Sequence, residues 1–251
     1  MSGASENDHQ LAVRLAVEAG KVLVDLRARL FAQRLPIWQV RDEGDYTAHH
    51  FIVDELAEAR PDDAVLSEEG RDHPNRVHAD RCWVIDPLDG TNEFGIEGRS
   101  DWAVHIALVI DGWPVVGAVS LPAMGLVFGT DPAPPHPPKR DRKVRMVTSR
   151  SRTPYAALVI AEALGADMAR LGSAGAKTMA VVAGEADIYA HAGGQYEWDS
   201  AAPAAVAKAA GFHVSRLDGS PLVYNQPDPW LPDLLVCRPE LAEPILDALW
   251  R

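Results

Sequence analysis

The chain has 251 residues, of which 47% are hydrophobic and 24% are charged, as is ordinary for a globular protein. Its formal net charge of -12 argues against a nucleic-acid partner, because the phosphate backbone requires a basic surface. No apolar run approaches the roughly 18 residues of a membrane span, and the N-terminus lacks a signal-peptide pattern. The chain has 2 cysteines, one in each half, so we expect a cytoplasmic, soluble protein without a disulfide framework or a zinc site.

The first half of the sequence shows two helical patterns, two short apolar strands and a β-rich region. The helices are predicted over residues 10–34 and 47–60, the strands over 64–66 and 82–86, and an antiparallel meander over 102–130. Asp111-Gly112 is a strong hairpin signal inside this meander. The proline-rich segment 132–138 predicts a linker or an exposed loop.

Helical and strand patterns are mixed in the second half. In chain order they are a strand (143–149), two helices (154–164 and 173–183), a strand (186–191), a helix (200–210), short strands (212–214 and 234–237) and a terminal helix. A meander half followed by this second half predicts a mixed α/β fold of two layered subdomains, 1–138 and 139–251, with a cleft between them.

The stretch CWVIDPLDGTNEF places Asp86 and Asp89 at the end of a predicted buried strand. An aspartyl-phosphate phosphotransferase would use an Asp-x-Asp pair on one strand face, but here two residues intervene. A calcium-binding EF-hand loop fails too, because Leu88 and Gly90 occupy its third and fifth positions. The turn can instead bring Asp86, the Leu88 carbonyl and Asp89 round one hard cation, which favours Mg²⁺. A surface turn with acidic residues is the alternative.

Two further features surround this motif. Gly90 allows close approach of the backbone and an anion-binding group of N–H donors, and Thr91 adds a hydroxyl. Far along the chain, Asp199 follows Trp198 and precedes an alanine-rich helix. Asp199 can cap that helix or bind a metal, and the two roles are compatible because metal and phosphate can converge at a helix N-terminus.

Five motifs along the chain form a recognisable set. They are LSEE (Leu66–Glu69), DPLDGTNEF (Asp86–Phe94), GSAGAK (Gly172–Lys177), WDSAAPAAVAKAAG (Trp198–Gly211) and DGSPLVY (Asp218–Tyr224). With them the sequence resembles the lithium-sensitive, Mg²⁺-dependent phosphomonoesterases, which include inositol monophosphatase and the CysQ-type 3'(2'),5'-bisphosphate nucleotidases. The resemblance spans nearly the whole chain and implies the layered α-β-α-β-α fold of the sugar phosphatases.

The resemblance also implies a site with two Mg²⁺ ions. Its metal ligands would be Glu68, Asp86, the Leu88 carbonyl, Asp89 and Asp199, with Asp86 shared between the ions. Glu68 and Thr91 would position a metal-activated water for direct attack on phosphorus.

A third Mg²⁺ ion is implied at Asp45, in the run VRDEGD before the second predicted helix. Asp42 and Glu43 are alternative ligands nearby, and a solvated acidic loop is another interpretation of this run.

Several residues are predicted to contact the substrate. GSAGAK begins a helix whose free N–H groups favour an anion, and Lys177 could add a charge for a second phosphate or simply face solvent. Ser149 and Arg150 resemble a serine-rich turn of the CysQ-type branch that could meet nucleotide or phosphate. Apart from Ser149 and Arg150, the predicted set is Asp89, Gly90, Thr91, Asn92, Ser173, Lys177 and Asp199.

We therefore predict Mg²⁺-dependent hydrolysis of 3'-phosphoadenosine 5'-phosphate to AMP and phosphate. Inositol monophosphatase or fructose-1,6-bisphosphatase activity is an alternative, and a catalytically silent metal- or nucleotide-binding protein is an alternative of another class. Loss of one of the acids Glu68, Asp86, Asp89 or Asp199 would favour the silent protein, but all are present. The expected partner is a small phosphate ester, with no nucleic acid or membrane, and a homodimer is left open.

Overall fold

The computed structural model describes residues 7–139 and 141–250. Its helices are α1 (Asp8–Ala32), α2 (Ile37–Ala59), α3 (Thr91–Phe94), α4 (Tyr155–Leu164), α5 (Ala174–Val182), α6 (Glu197–Ala209) and α7 (Ala242–Trp250), with short 3₁₀ helices at Pro74–His78, Pro122–Met124 and Pro239–Leu241. At the start of α1 the side chains of Asn7 and Gln10 each accept the other's backbone N–H. This reciprocal cap satisfies two donors that a helix start would leave unpaired.

The strands of the described residues form two sheets of five strands each. They are β1 (Ala64–Ser67), β2 (Cys82–Asp89), β3 (Ala103–Ile110), β4 (Trp113–Leu121), β5 (Leu126–Gly129), β6 (Arg145–Ser149), β7 (Asp167–Leu171), β8 (Ile188–Tyr196), β9 (His213–Ser215) and β10 (Trp230–Cys237). The first sheet has the order β1-β2-β3-β4-β5, with only the β1–β2 pair parallel. The second has the order β7-β6-β8-β10-β9, in which β6 is parallel to both neighbours.

Helices and sheets alternate in five layers. Helices α1 and α2 cover the outer face of the first sheet, α5 and α6 lie between the sheets, and α4 and α7 cover the outer face of the second. Buried apolar side chains fill each interface; Leu15, for example, shares a cluster with Trp83, and Val206 shares another with Leu234. This order confirms the predicted mixed α/β class and the α-β-α-β-α arrangement.

The predicted hairpin and meander are confirmed. Asp111 and Gly112 have φ values of 51° and 79°, the left-handed backbone that a two-residue hairpin between β3 and β4 requires. The segment 132–138 contains no helix or strand, in agreement with its proline content. The first sheet uses residues 64–129 and the second 145–237, while the subdomain boundary at residue 138 stays a prediction. No helix within 7–139 or 141–250 has the length and apolarity to cross a membrane.

The start of α2 differs from the prediction. The helix begins at Ile37 instead of near residue 47, so the run VRDEGD is helical and its interpretation as an acidic loop is wrong. Pro36 precedes the helix with a φ of -58°, a geometry suited to a helix start. The buried stripe of α2 includes Gly44 and Ala48, small residues that hydrophobic periodicity does not reveal. A Cβ at Gly44 would approach Phe94 to 2.7 Å, so this glycine permits close packing beside the Asp86–Asp89 motif.

Other elements also differ from the prediction: β2 continues to Asp89 and β10 begins at Trp230, where strands over 82–86 and 234–237 were predicted. Strand β7 was missed because it is a mostly exposed edge strand that carries charged residues. Strand β8 extends to Tyr196, past Gly193 and Gly194, which in sequence resemble a break. Helix α6 begins at Glu197, so Asp199 lies inside its first turn and not before it.

Candidate active site

A bulge in β2 brings Asp86 and Asp89 to the same side of the first sheet. Asp86 pairs with His105, and Asp89 pairs with Ala103. The two aspartates are three residues apart on β2, whereas their partners are two residues apart on β3, so β2 contains one extra residue. Residues three apart on a regular strand face opposite ways, and the extra residue restores a common direction. The sequence motif thus produces two buried carboxylates side by side at the end of one strand.

Gly90 and Thr91 form the turn that follows. Gly90 has a φ of 90°, and a Cβ there would lie 3.2 Å from the Asp101 carbonyl oxygen, so the position requires glycine. The Thr91 hydroxyl lies 3.1 Å from both the Leu88 carbonyl oxygen and Asp45 Oδ1. Because a hydroxyl donates only one proton, Thr91 bonds one of these acceptors at a time and keeps lone pairs for another donor.

Asp199 joins the two aspartates from the second half of the chain. Its Oδ2 accepts the Tyr196 N–H at 2.6 Å, so Asp199 does cap helix α6, but from the third position of the helix and not, as predicted, from the residue before it. Asp86, Asp89 and Asp199 each offer an oxygen within 4.8 Å of the others. The cap therefore also aims this carboxylate at the end of β2.

Asp89 is surrounded by hydrogen-bond donors. Its Oδ1 accepts the Ala174 N–H at 3.1 Å, and its Oδ2 accepts the Gly175 N–H at 2.7 Å and the Ser173 hydroxyl. His105 Nε2 lies 3.2 Å from Oδ2. Burial alone would raise the pKa of Asp89, but His105 and these donors hold the pKa below its ordinary value. Asp89 is therefore an anion that the fold itself stabilises, and Oδ1 keeps a lone pair for a cation.

His105 is fully buried behind the carboxylates, and sequence analysis did not single it out. Its Nδ1 lies 3.1 Å from the Trp198 carbonyl oxygen, next to Asp199 in the chain. Burial would lower the pKa of His105, but Asp89 outweighs this effect and the pKa is raised. The imidazole thus connects β2, β3 and the start of α6. The signal in the sequence was a histidine inside an apolar strand. Its partner Asp89 could be identified only from the pairing of β2 with β3.

The remaining carboxylates of the cluster crowd one another. Burial, followed by the charges of Glu68, Asp89 and Asp199, raises the pKa of Asp86 well above its ordinary value. Glu68 directly follows β1 and is exposed at the cleft mouth; partial removal from water and the Asp199 charge raise its pKa to about 8. Burial and the Asp89 charge raise the pKa of Asp199 to about 6. These acids lack enough cationic partners among the described residues to hold them all ionised.

Asp45 lies on the other side of Thr91. Burial and the charge of Glu69 raise the pKa of Asp45 to about 7. With Asp42, Glu69 and neighbouring histidines it lines a separate cavity of about 260 Å³. Asp45 is not part of the Asp86–Asp89–Asp199 cluster, and a third metal at Asp45 stays a prediction.

The start of α5 differs from expectation. The N–H groups of Ala174 and Gly175 bind the Asp89 carboxylate, so they are not free for a substrate anion as predicted. Lys177 is buried and donates to the carbonyl oxygens of Gly172 at 3.0 Å and Ser173 at 2.6 Å. The interpretation of Lys177 as a solvent-facing lysine is therefore wrong. Its third N–H remains for a ligand in the cleft, which Lys177 lines.

Two other predicted substrate residues lie differently. Arg150 donates through Nε and an Nη to Glu93 Oε1, at 3.0 and 2.8 Å, so its charge is already paired. Asn92 is exposed on α3. Ser149 and Ser173, in contrast, both line the cleft.

A polar cleft of about 420 Å³ is lined by the acids Glu68, Asp89 and Asp199 and by residues of the second sheet. Acidic residues occupy one part and β8, β10 and α5 the rest. The lining residues are Glu68, Asp89, Ser149, Ser173, Ala174, Lys177, Tyr189, His191, Gly193, Gly194, Gln195, Tyr196, Asp199 and Trp230. The predicted cleft thus joins carboxylates from the first sheet to side chains from the second, in a volume typical of small-molecule sites.

Comparison with known proteins agrees with this arrangement. The model of the inositol monophosphatase family matches residues 9–251. The chain belongs to the inositol monophosphatase family. It is 49% identical over 249 residues to the 3'-phosphoadenosine 5'-phosphate phosphatase of Mycobacterium bovis, covering 93% of this chain and 91% of that one. It is 35% identical over 202 residues to the 3'(2'),5'-bisphosphate nucleotidase CysQ of Escherichia coli, covering 74% and 80% of the two chains.

Solved structures of the family share the fold. CysQ from Bacteroides thetaiotaomicron has a TM-score of 0.77 and 28% identity, covering 93% of this chain and 97% of that one. Inositol monophosphatase II from Staphylococcus aureus has the same TM-score at 23% identity, covering 94% and 91%. The family assignment makes this protein a phosphoric monoester hydrolase of a Mg²⁺-dependent family.

The acidic cluster of this family member fits a hard divalent cation. Carboxylate and carbonyl oxygens are the ligands that Mg²⁺ prefers, and Asp86, Asp89 and Asp199 supply them from converging elements. Buried carboxylates are costly unless a cation compensates them. The raised pKa values of Asp86 and Asp199 show that the protein alone does not provide that compensation.

Proposed function

We propose that this family member hydrolyses 3'-phosphoadenosine 5'-phosphate to AMP and phosphate. The supporting observation is the convergence of Asp86, Asp89 and Asp199 in one acidic cluster, in a chain 49% identical to a relative named for that activity. The names of inositol monophosphatase relatives support the same phosphoester chemistry on other alcohols.

Two Mg²⁺ ions would be held by the carboxylates of Glu68, Asp86, Asp89 and Asp199 and by the Leu88 carbonyl. When bound, the ions polarise the phosphoryl group, lower the pKa of water and stabilise the leaving oxygen. Asp86 is the most buried of these acids and would be one of the residues that hold the ions. The fold contributes a fixed anion at Asp89, so one ligand is oriented before any ion arrives.

Glu68 and Thr91 would orient the attacking water. Thr91 donates its hydroxyl proton to the Leu88 carbonyl or to Asp45, which leaves an oxygen lone pair to accept a proton from water. The Glu68 carboxylate accepts the other proton and has a pKa of about 8 without ions, so it would act as a base once a cation lowers that value. Attack is direct, and no residue of the cluster forms a phosphoenzyme.

Specific activity on a substrate panel tests this function. In Mg²⁺, kcat/KM for 3'-phosphoadenosine 5'-phosphate should exceed the values for inositol 1-phosphate and fructose 1,6-bisphosphate. A higher value for either of the others would overturn the substrate assignment while leaving the phosphatase chemistry in place. Absence of hydrolysis for all three, together with intact Mg²⁺ binding, would identify a catalytically silent member.

Lithium inhibition tests the exchange of the second ion. Li⁺ is close to Mg²⁺ in size but carries half its charge, so it would occupy the site of Asp86, Asp89 and Asp199 and stabilise the leaving oxygen poorly. Initial rates should fall with LiCl, and NaCl of equal ionic strength should have little effect. Identical curves for the two salts would refute an exchangeable site of this geometry.

A further inference from the structure

The turn before α5 has an unusual backbone. Ser173 has a φ of 46° and a ψ of 131°, in the left-handed region that residues other than glycine rarely adopt. In this conformation the Ser173 hydroxyl and the N–H groups of Ala174 and Gly175 all bond the Asp89 carboxylate. A strained residue of this kind persists only where its surroundings fix it. Contacts from elsewhere in the chain must therefore hold this turn in place.

Two buried acids from the first half of the chain contact Gly172, the residue before Ser173. Asp101 Oδ2 accepts the Gly172 N–H at 2.5 Å. A Cβ on Gly172 would overlap Glu93, because the nearest heavy atoms to it are the Cδ, Cγ and Oε1 atoms of that side chain. The Glu93 carboxyl group therefore lies directly against the backbone of the turn. It reaches the turn from α3, the helix that follows the Asp86–Asp89 motif.

Arg150 fixes Glu93 in this position. Its Nε and one Nη donate to Glu93 Oε1 at 3.0 and 2.8 Å. The Arg150 backbone N–H donates to the Leu171 carbonyl oxygen at 3.0 Å, so the same residue also contacts the chain just before the turn. The Glu93 side chain is 8% exposed and the Arg150 side chain 40%. Loss of Arg150 would leave a buried charge without this partner, and the Glu93 carboxylate would turn away from Gly172 toward water.

We propose that the ion pair of Glu93 and Arg150 positions the start of α5 and, through it, the Asp89 carboxylate. The pair holds Glu93 against Gly172, which keeps Ser173 in its strained conformation and directs the donors of the turn at Asp89. Neither side chain of the pair belongs to the acidic cluster or to the cleft lining, so both are positioning residues and not catalytic ones. This inference rests on the Mg²⁺ ligands of the proposed function but on no particular alcohol in the substrate.

Variants that disturb the pair in different ways test this role. Arg150→Met removes the guanidinium and keeps an apolar stem, whereas Glu93→Gln removes the charge and keeps the shape. Gly172→Ala adds a methyl group against Glu93 and changes no charge. Arg216→Met is the matched control, because Arg216 Nε binds Asp233 Oδ1 at 2.8 Å in a comparable ion pair outside the cleft lining.

The first measurement is hydrogen exchange of the Ala174 and Gly175 amides, followed by NMR in EDTA. Relative to the amides of β4, these two should exchange roughly tenfold faster in the three variants of the turn and its ion pair, because their bonds to Asp89 open more often. The second measurement is the Kd for Mg²⁺, obtained by calorimetry without substrate. It should rise roughly tenfold in the same variants, as when a group that orients a metal ligand is lost, and stay within about twofold in Arg216→Met.

Other outcomes would overturn the positioning role. Unchanged exchange, or faster exchange with an unchanged Kd for Mg²⁺, would show that Asp89 does not depend on the ion pair. Equal acceleration of exchange in α5 and β4 would show that the pair contributes only to general stability. Wild-type protein that hydrolyses no phosphate ester, while Arg150→Met still changes both exchange and Mg²⁺ binding, would instead refute the proposed function and retain the positioning role.

Discussion

Asp86 and Asp89 lie three residues apart on the same strand and are both buried, yet their surroundings are opposite. Asp89 receives two backbone N–H groups, the Ser173 hydroxyl and His105, and its pKa is lowered. Asp86 accepts the Leu88 N–H at 3.1 Å and faces other carboxylates, and its pKa is raised well above normal. The fold stabilises the ionised form of Asp89, whereas the ionised form of Asp86 would require a bound cation for its stabilisation.

This difference gives the two aspartates different roles in the acidic cluster. Asp89 ties β2 to α5, so its charge helps to hold the two halves of the cleft together. Asp86, Glu68 and Asp199 repel one another and, without ions, would also repel a phosphate. Ion binding would therefore relieve the repulsion and create the phosphate site in the same event.

We expect the largest effect on kcat, from the replacement of Asp199, whose charge would compensate a bound cation. Asp199→Asn should lower kcat more than about 100-fold, because the amide keeps the cap at the Tyr196 N–H but cannot compensate a cation. Circular dichroism should show native folding, and Asp218→Asn, an exposed acid outside the cleft, is the control. Retention of more than about a tenth of the wild-type rate, a loss below ~1.4 kcal/mol, would refute the ligand assignment.

Lys177 is expected to have the next largest effect. Its third N–H could contact a second phosphate, and charge-assisted bonds contribute about 1.5–3 kcal/mol. Lys177→Ala should therefore lower kcat/KM for a bisphosphate roughly 10- to 100-fold more than for a monophosphate. Equal losses on both substrates would mean that the ammonium only holds the Gly172 and Ser173 carbonyls at the start of α5.

Metal-free stability tests the comparison between the two aspartates directly. In EDTA, Asp89→Asn should lower the free energy of unfolding by about 1–3 kcal/mol, because an amide cannot accept the donors of both oxygens and because His105 Nε2 loses its charged partner. Asp86→Asn should be neutral or stabilising, since an amide oxygen can still accept the Leu88 N–H and the substitution removes repulsion by Glu68, Asp89 and Asp199, which outweighs His105 Nδ1 at 3.9 Å. Urea unfolding of the two variants measures this, and equal destabilisation would break the distinction.

Much of the fold and of the acidic cluster was readable from sequence. The motif DPLDGT restricts the chain to a narrow set of conformations, and Asp199 carries the signature of a helix start, so local chemistry identified both. Helix α1 and the β3–β4 hairpin followed from periodicity and from Asp111-Gly112. These features depend on neighbours in sequence, which a single chain displays.

The features that escaped prediction depend on long-range contacts. His105 contacts Asp89 because of the register in which β2 pairs with β3. That register includes a bulge that no sequence pattern predicts. Lys177 turns to carbonyl oxygens because α5 is buried between the sheets, whereas its position in the sequence allowed solvent. Strand β8 continues to Tyr196, five residues past its predicted end at residue 191, through pairing with β10.

The smallest expected effect is a pH dependence of stability that Mg²⁺ should remove. The pKa values of Asp199, Asp45 and Glu68 are raised to about 6, 7 and 8, so each folded group binds a proton more tightly than its unfolded counterpart near 4. Stability that these groups provide is complete below about pH 4 and is lost as the pH rises through these values. The lowered pKa of Asp89 acts in the opposite direction, but below this window.

In EDTA, the melting temperature should therefore fall between pH 5.5 and pH 8.5, mainly through Asp45 and Asp199, because solvent screens the charge of the exposed Glu68. Mg²⁺ competes with protons for the same carboxylates, so the increase in Tm on adding MgCl₂ should be larger at pH 8.5 than at pH 5.5. Asp199→Asn should flatten the EDTA profile because it removes one of the titrating groups. A Mg²⁺ stabilisation that is independent of pH would mean that the ions bind away from these carboxylates, and the distinction between Asp86 and Asp89 would then have no role in metal binding.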